Sequence, residues 1–169
     1  MRKTFVALLA LTGVMGLTAC DDSDDFTTRP PRFNAFSITK LKAATGSVDD
    51  GVFRVGDVLL ATLVQSEQGR LLNKVTYQWS TEPSATHKYT QVSVYDANPE
   101  SPTDTITLTQ AGFHTLTLSA RYSVSGNAVN MTWTSDHFAD QGSATLAGSL
   151  LNINLSATQT FTVEEALTE

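Results

Sequence analysis

The residues of this chain that are equipped to do chemistry are few and scattered. Asp136, His137 and Asp140 fall close together, and carboxylate oxygens with an imidazole suit a divalent cation. They lack the ligand pattern of a calcium loop, and one short loop rarely supplies enough donors alone. No metal and no other cofactor is therefore expected. Trp133 stands just before this segment, and Phe138 just after His137. An exposed indole beside polar groups offers a flat apolar face to a pyranose ring. Trp133, Asp136, His137 and Asp140 are thus the candidate ligand contacts. The alternative is a tryptophan buried beneath a long loop.

Catalytic patterns are missing from the sequence. It contains no Gly-x-Ser-x-Gly elbow, no His-Glu-x-x-His and no phosphate-binding glycine loop. Glu164 and Glu165 are adjacent, and neighbours on an extended chain point opposite ways. His114 is in phase with Leu116 and Leu118 and reads as structural. His87 follows Pro83 in a polar stretch and reads as a solvated turn residue. The spacing gives no support to a Ser-His-Asp set, so the chain is read as a non-enzyme, with a hydrolytic enzyme as the weakest alternative.

Cys20 is the single cysteine of the 169 residues, which excludes an internal disulfide and a cysteine metal site. Arg2 and Lys3 precede an apolar run from Phe5 to Leu17. That run is shorter than the roughly 20 residues of a membrane-spanning helix. A basic head, a short apolar core and a small-residue exit make a secretory signal peptide. Leu17-Thr18-Ala19-Cys20 resembles the bacterial lipobox. The resemblance implies cleavage before Cys20 and lipid attachment to its sulfur. Acyl chains at about 0.8 kcal/mol per buried methylene then anchor the protein to a membrane. Residues 1–19 form the signal peptide and residues 20–31 a disordered, lipid-anchored acidic tether.

Asp21, Asp22, Asp24 and Asp25 follow the cysteine, and Pro30 and Pro31 close the tether. Clustered like charge and proline keep such a segment extended and solvated. The acidic run resembles the surface-export signal of Bacteroidota lipoproteins, which implies the outer face of the outer membrane. A periplasm-facing position is the alternative, because aspartate directly after the cysteine marks retention in enteric bacteria. Loss of residues 1–19 removes Arg2 and Lys3 and no acid, leaving 17 acidic residues and a net charge of −8. An acidic chain without a basic stripe repels nucleic acid.

Residues 32–169 read as one all-β domain. Phe33, Ala35 and Ser37 alternate with Phe36 and Ile38. Val58 to Val64 reads as a strand apolar on both faces. Val75, Tyr77 and Trp79 alternate with Thr76, Gln78 and Ser80 in a third strand, and in an immunoglobulin-like arrangement Trp79 packs between the two sheets. Val92 with Val94, and Ile106 with Leu108, give two more. His114, Leu116, Leu118, Ala120 and Tyr122 give the cleanest alternation. Period-two patterns bounded by Gly, Pro, Asn and Asp are strand signatures, and many short strands indicate a sandwich. Ser125-Gly126-Asn127 reads as a hairpin turn into 128–134. Residues 135–149 read as a long loop. Leu150 to Leu155 resumes a strand, and Phe161 to Val163 closes the sheet.

Val55-Gly56-Asp57-Val58, Tyr77-Gln78-Trp79 and Ala111-Gly112-Phe113-His114-Thr115-Leu116-Thr117-Leu118 resemble a PKD-type immunoglobulin-like domain. The resemblance spans Val55 to Tyr122 and implies an immunoglobulin-like β-sandwich. His114 stands where that family carries a tyrosine whose hydroxyl bonds to backbone. Ser80-Thr81-Glu82 replaces its Gly-Asp-Gly. Asp104-Thr105-Ile106 matches the O-glycosylation acceptor pattern of exported Bacteroidota proteins, with Thr105 as acceptor. The expected function is a binding or assembly module at the cell surface, accessory to a protein complex or to glycan uptake. A carbohydrate-binding module using the loop around Trp133 is the alternative.

Overall fold

The computed structural model describes residues 28–44, 46, 50–95, 101–124, 138–141, 143–148 and 152–167. These residues are all-β and form two sheets. The strands are β1 (Arg32–Lys42), β2 (Phe53–Arg54), β3 (Val58–Glu67), β4 (Leu72–Glu82), β5 (Thr86–His87) and β6 (Gln91–Tyr95). They continue with β7 (Thr103–Thr107), β8 (Gly112–Val124), β9 (Phe138–Gln141), β10 (Ser143–Gly148) and β11 (Asn152–Glu164). The first sheet has the order β5-β7-β3-β1-β9. The second has the order β10-β11-β8-β4-β6, with β2 added beside β11.

Alternation decides which side of each strand is buried. Val75, Tyr77 and Trp79 on β4 face inward, as do Leu116, Leu118, Ala120 and Tyr122 on β8 and Ile153, Leu155 and Ala157 on β11. Leu59, Ala61 and Leu63 of β3 and Ile106 of β7 meet them from the first sheet. Trp79 is 2 % exposed, and its ring lies 6.1 Å from that of Phe36 on the opposite sheet. One apolar cluster therefore joins the two layers.

Four readings need correction. β1 does not alternate simply: register breaks between Phe33 and Phe36 bring both rings into the core, as an inserted residue does at a bulge. β3 is buried on one side only, while Val58, Leu60 and Val64 are half-covered. The stretch read as a loop contains β9 and β10, the former parallel to β1 and the latter antiparallel to β11. The two closing segments form one strand, β11, paired with β8 along its whole length. Its polar residues disguised a continuous ladder.

Gly56 has φ +92°, and a Cβ there would lie 3.0 Å from the Ala44 Cβ. Only glycine takes this left-handed turn without strain. The turn is pinned by Gly56 N–H donating to Leu108 O and Leu108 N–H to Asp57 O.

Tyr77 and Tyr122 meet edge to face at 6.3 Å inside the second sheet's apolar layer. Burial pushes both phenols above their ordinary value, Tyr122 furthest. An unfolded chain releases these protons near pH about 10, the folded chain only at higher pH. Their contribution to stability is thus complete below pH about 10 and declines as pH rises beyond it. An alkaline titration followed by tyrosinate absorbance and circular dichroism tests this. Tyr77 and Tyr122 should ionise only as the β-sheet circular dichroism disappears. Full tyrosinate absorbance with an intact sheet signal would refute this.

Candidate functional site: the outer face of the second sheet

The side of β4, β8 and β11 that points away from the core is made of cross-strand rungs. Thr160, Thr115 and Glu82 align, then Thr158, Thr117 and Ser80. Next come Ser156, Ser119, Gln78 and Gln91, and then Asn154, Arg121, Thr76 and Ser93. β-Branched threonines fit a pleated surface, and hydroxyls and amides keep it wet. The last two rungs sink into an open recess of about 510 Å³. It is lined by Thr76 and Gln78 from β4, Gln91 from β6, Ser119, Ala120 and Arg121 from β8, and Asn154, Leu155 and Ser156 from β11. The Arg121 Nε–H donates to Asn152 Oδ1 at 3.2 Å, and Thr76 and Ser93 hydroxyls bond at 3.0 Å. These contacts hold donors and acceptors facing outward. Phe113 begins the same face of β8, paired with Thr162, and is 82 % exposed.

Two clusters of titratable groups lie elsewhere, both inside the fold. Asp57 is fully buried. Its Oδ1 accepts Ala44 N–H at 2.7 Å, its Oδ2 accepts Arg54 N–H at 2.9 Å, and Lys40 Nζ lies 3.1 Å from Oδ2. Lys40 also donates to Val52 O at 2.7 Å. Burial by itself would raise the Asp57 carboxyl; the two amides and the ammonium outweigh it and hold the group below its usual value. Nearby, Arg54 grips Asp50 through two bonds of 2.9 and 2.7 Å. That bond, first among the causes, holds Asp50 well below the carboxylate range. The whole group stitches the segment after β1 to the turn before β3.

The second cluster has the residue types of a catalytic triad. His87 Nδ1 stands 2.6 Å from Asp104 Oδ2, and its Nε2 is 3.1 Å from Thr81 Oγ1. An ionised Asp104 only accepts, so Nδ1–H donates, and in the neutral ring Nε2 accepts the Thr81 hydroxyl proton. The surroundings are wrong for a nucleophile. Thr81 is buried on β4, and its oxygen already accepts Ala85 N–H at 2.9 Å. Asp104 Oδ1 in turn accepts the amides of Tyr89 and Thr105 at 2.8 Å each. Thr81 belongs to the second sheet, and His87 and Asp104 to the first, so the set is a polar clip between layers. The reading of His87 as solvated is therefore corrected: its side chain is 6 % exposed.

His114 is structural, as its phase suggests. It is buried, bonds through Nε2 to Gln110 O at 2.9 Å, and stacks on Phe161 at 5.5 Å. Thr105 is half-buried on the outer side of β7, while Asp104 of the same acceptor pattern points into the core. Cys20, Trp133, Asp136 and His137 lie outside the described residues. Asp140 falls on β9. Among the described residues no group of three His, Cys, Asp or Glu is placed to hold a metal ion.

Sequence reasoning did not find Asp104, Thr81 or the sheet face. Asp104 is in phase with Ile106 and Leu108, and Thr81 with Tyr77 and Trp79. A polar residue on the apolar phase of a strand was the available signal. No protein-family model matches the chain, and the comparisons found no matching curated protein or solved structure.

Proposed function

We propose that the protein is a non-enzymatic binding module of the bacterial envelope. Its lipid at Cys20 fixes it to the outer membrane, its acidic tether lifts it from the bilayer, and its domain engages a surface partner or glycan. The observation that carries this reading is the recess on the second sheet, an outward-facing array of hydrogen-bonding groups whose one charge is Arg121. The enclosed Thr81–His87–Asp104 set supports a binding role over a hydrolytic one, because a substrate would have no access to Thr81. The finer fold assignment, an immunoglobulin-like sandwich of PKD type, rests on the Gly56–Asp57 turn, the inward Tyr77 and Trp79, and the β8 pattern.

Location is tested by protease shaving of intact cells, with lysed cells as control. The full chain should be degraded on intact cells and should partition with membranes. Cys20→Ala should release it into the soluble fraction and remove lipid labelling. Membrane attachment of Cys20→Ala, or resistance to shaving until lysis, would overturn the surface-anchored reading.

A further inference from the structure

We infer that the outer face of the second sheet binds an uncharged glycan chain lying along β8, with Phe113 as its stacking platform. The inference rests on the binding-module reading and names the ligand class of the same face. The first ground is charge. The mature chain carries 17 acidic residues, yet between Phe113 and Arg121 the rungs of this face hold one acid, Glu82, and one base, Arg121. A face neutral against an acidic background complements a neutral ligand and repels polyanions. The second ground is donor chemistry. Gln78, Gln91 and Asn154 each present both donors and an acceptor. Such groups match vicinal hydroxyls, which also donate and accept, and they lie together in the recess.

The third ground is Phe113. A large aromatic side chain left 82 % exposed, on the same side of β8 as the recess, is out of place on a hydroxyl-covered surface. Its ring offers the apolar face that the C–H side of a pyranose covers. Phe113 and Ser119 are six residues apart on one strand, about 20 Å at roughly 3.4 Å per residue. The site is therefore extended, and it takes an oligosaccharide rather than a single sugar. A polypeptide ligand is the weaker match: peptides add to sheet edges through backbone groups, and this face offers side chains only.

The test uses the full-length lipidated protein in detergent on an array of neutral and anionic glycans. Binding to at least one neutral oligosaccharide is expected. Phe113→Ala and Gln78→Ala should each weaken that binding about tenfold or more, as truncation of a central anchor does. Both positions are exposed, so the variants should keep the wild-type circular dichroism. Tyr89→Ala, an exposed aromatic off this face, should bind as wild type. A blank array, binding confined to anionic glycans, or binding indifferent to both substitutions would overturn the inference. Shaving separates this from the parent reading: a surface-exposed protein with a blank array keeps the module and loses the glycan. A protein hidden until lysis loses the surface reading whatever the array shows.

Discussion

Asp57→Ala should destabilise the fold by about 3–5 kcal/mol, the range for removing one partner of a buried ion pair. The substitution removes the carboxylate facing the Lys40 ammonium, whose side chain is 7 % exposed. It also leaves the amides of Ala44 and Arg54 without their acceptor. Urea unfolding of the two proteins measures the difference as a change in midpoint. Adding Lys40→Met should recover part of the loss, since the two effects share one interaction. The acid limb carries a second signature. Asp57 is held below its usual value in the folded state, so its contribution is full above the unfolded value of about 3.9 and fades as pH falls through the lower, folded value. The wild type should therefore lose more stability on acidification than Asp57→Ala. A variant within about 0.5 kcal/mol of wild type would mean that Asp57 behaves as a surface residue.

Asp104→Ala should be comparably severe, on the order of 3–5 kcal/mol, because it strands two buried amides and the His87 N–H in one step, each costing about 1–3 kcal/mol. Thr81→Val should be milder, about 1–2 kcal/mol, since it deletes two neutral bonds, the one to the ring and the one from the Ala85 amide. That ordering distinguishes a clip from a catalytic set. In a catalytic set, Thr81→Val would abolish turnover and leave stability nearly untouched. For an inter-sheet clip, stability follows the number of bonds lost. If Thr81→Val were the more destabilising of the two, the clip as described would be wrong.

Both aspartates show where the sequence could be read and where it could not. The β8 pattern was legible because every second residue from His114 to Tyr122 is buried, while Trp79 was placed between sheets by the resemblance to immunoglobulin-like domains. Asp57 and Asp104 obey that periodicity too, but as charged residues on the apolar phase. Period-two reading assigns a charge to the outside unless a partner is known, and the partners arrive from distant strands: Lys40 for Asp57 and His87 for Asp104. β1 was misread for a related reason, because a bulge changes phase without leaving a trace in composition. The binding face was illegible because Ser, Thr and Gln on an outer face are ordinary when taken one at a time. Only cross-strand register gathers Gln78, Ser119 and Ser156 into one rung.

The point where the chain enters the domain has a mechanical consequence. Arg29 bridges to Arg70, and β1 then begins at Arg32 opposite Glu67. At the other end of that ladder Lys42 meets Val58. β1 thus runs away from its entry point, and Phe113 starts β8 at the opposite pole from Val124, which pairs with Leu72 beside the entry. Phe113 and Leu41 thus lie at the pole of the domain opposite the end where β1 begins, which in the proposed lipid-anchored form is the pole away from the tether. When flow or a bound partner drags on the domain, tension enters through β1 along the strand axis. The β1–β3 ladder is then loaded in shear, with its hydrogen bonds sharing the force instead of opening one after another. The topology that places Phe113 opposite the entry point also makes the first strand a tensile fastener.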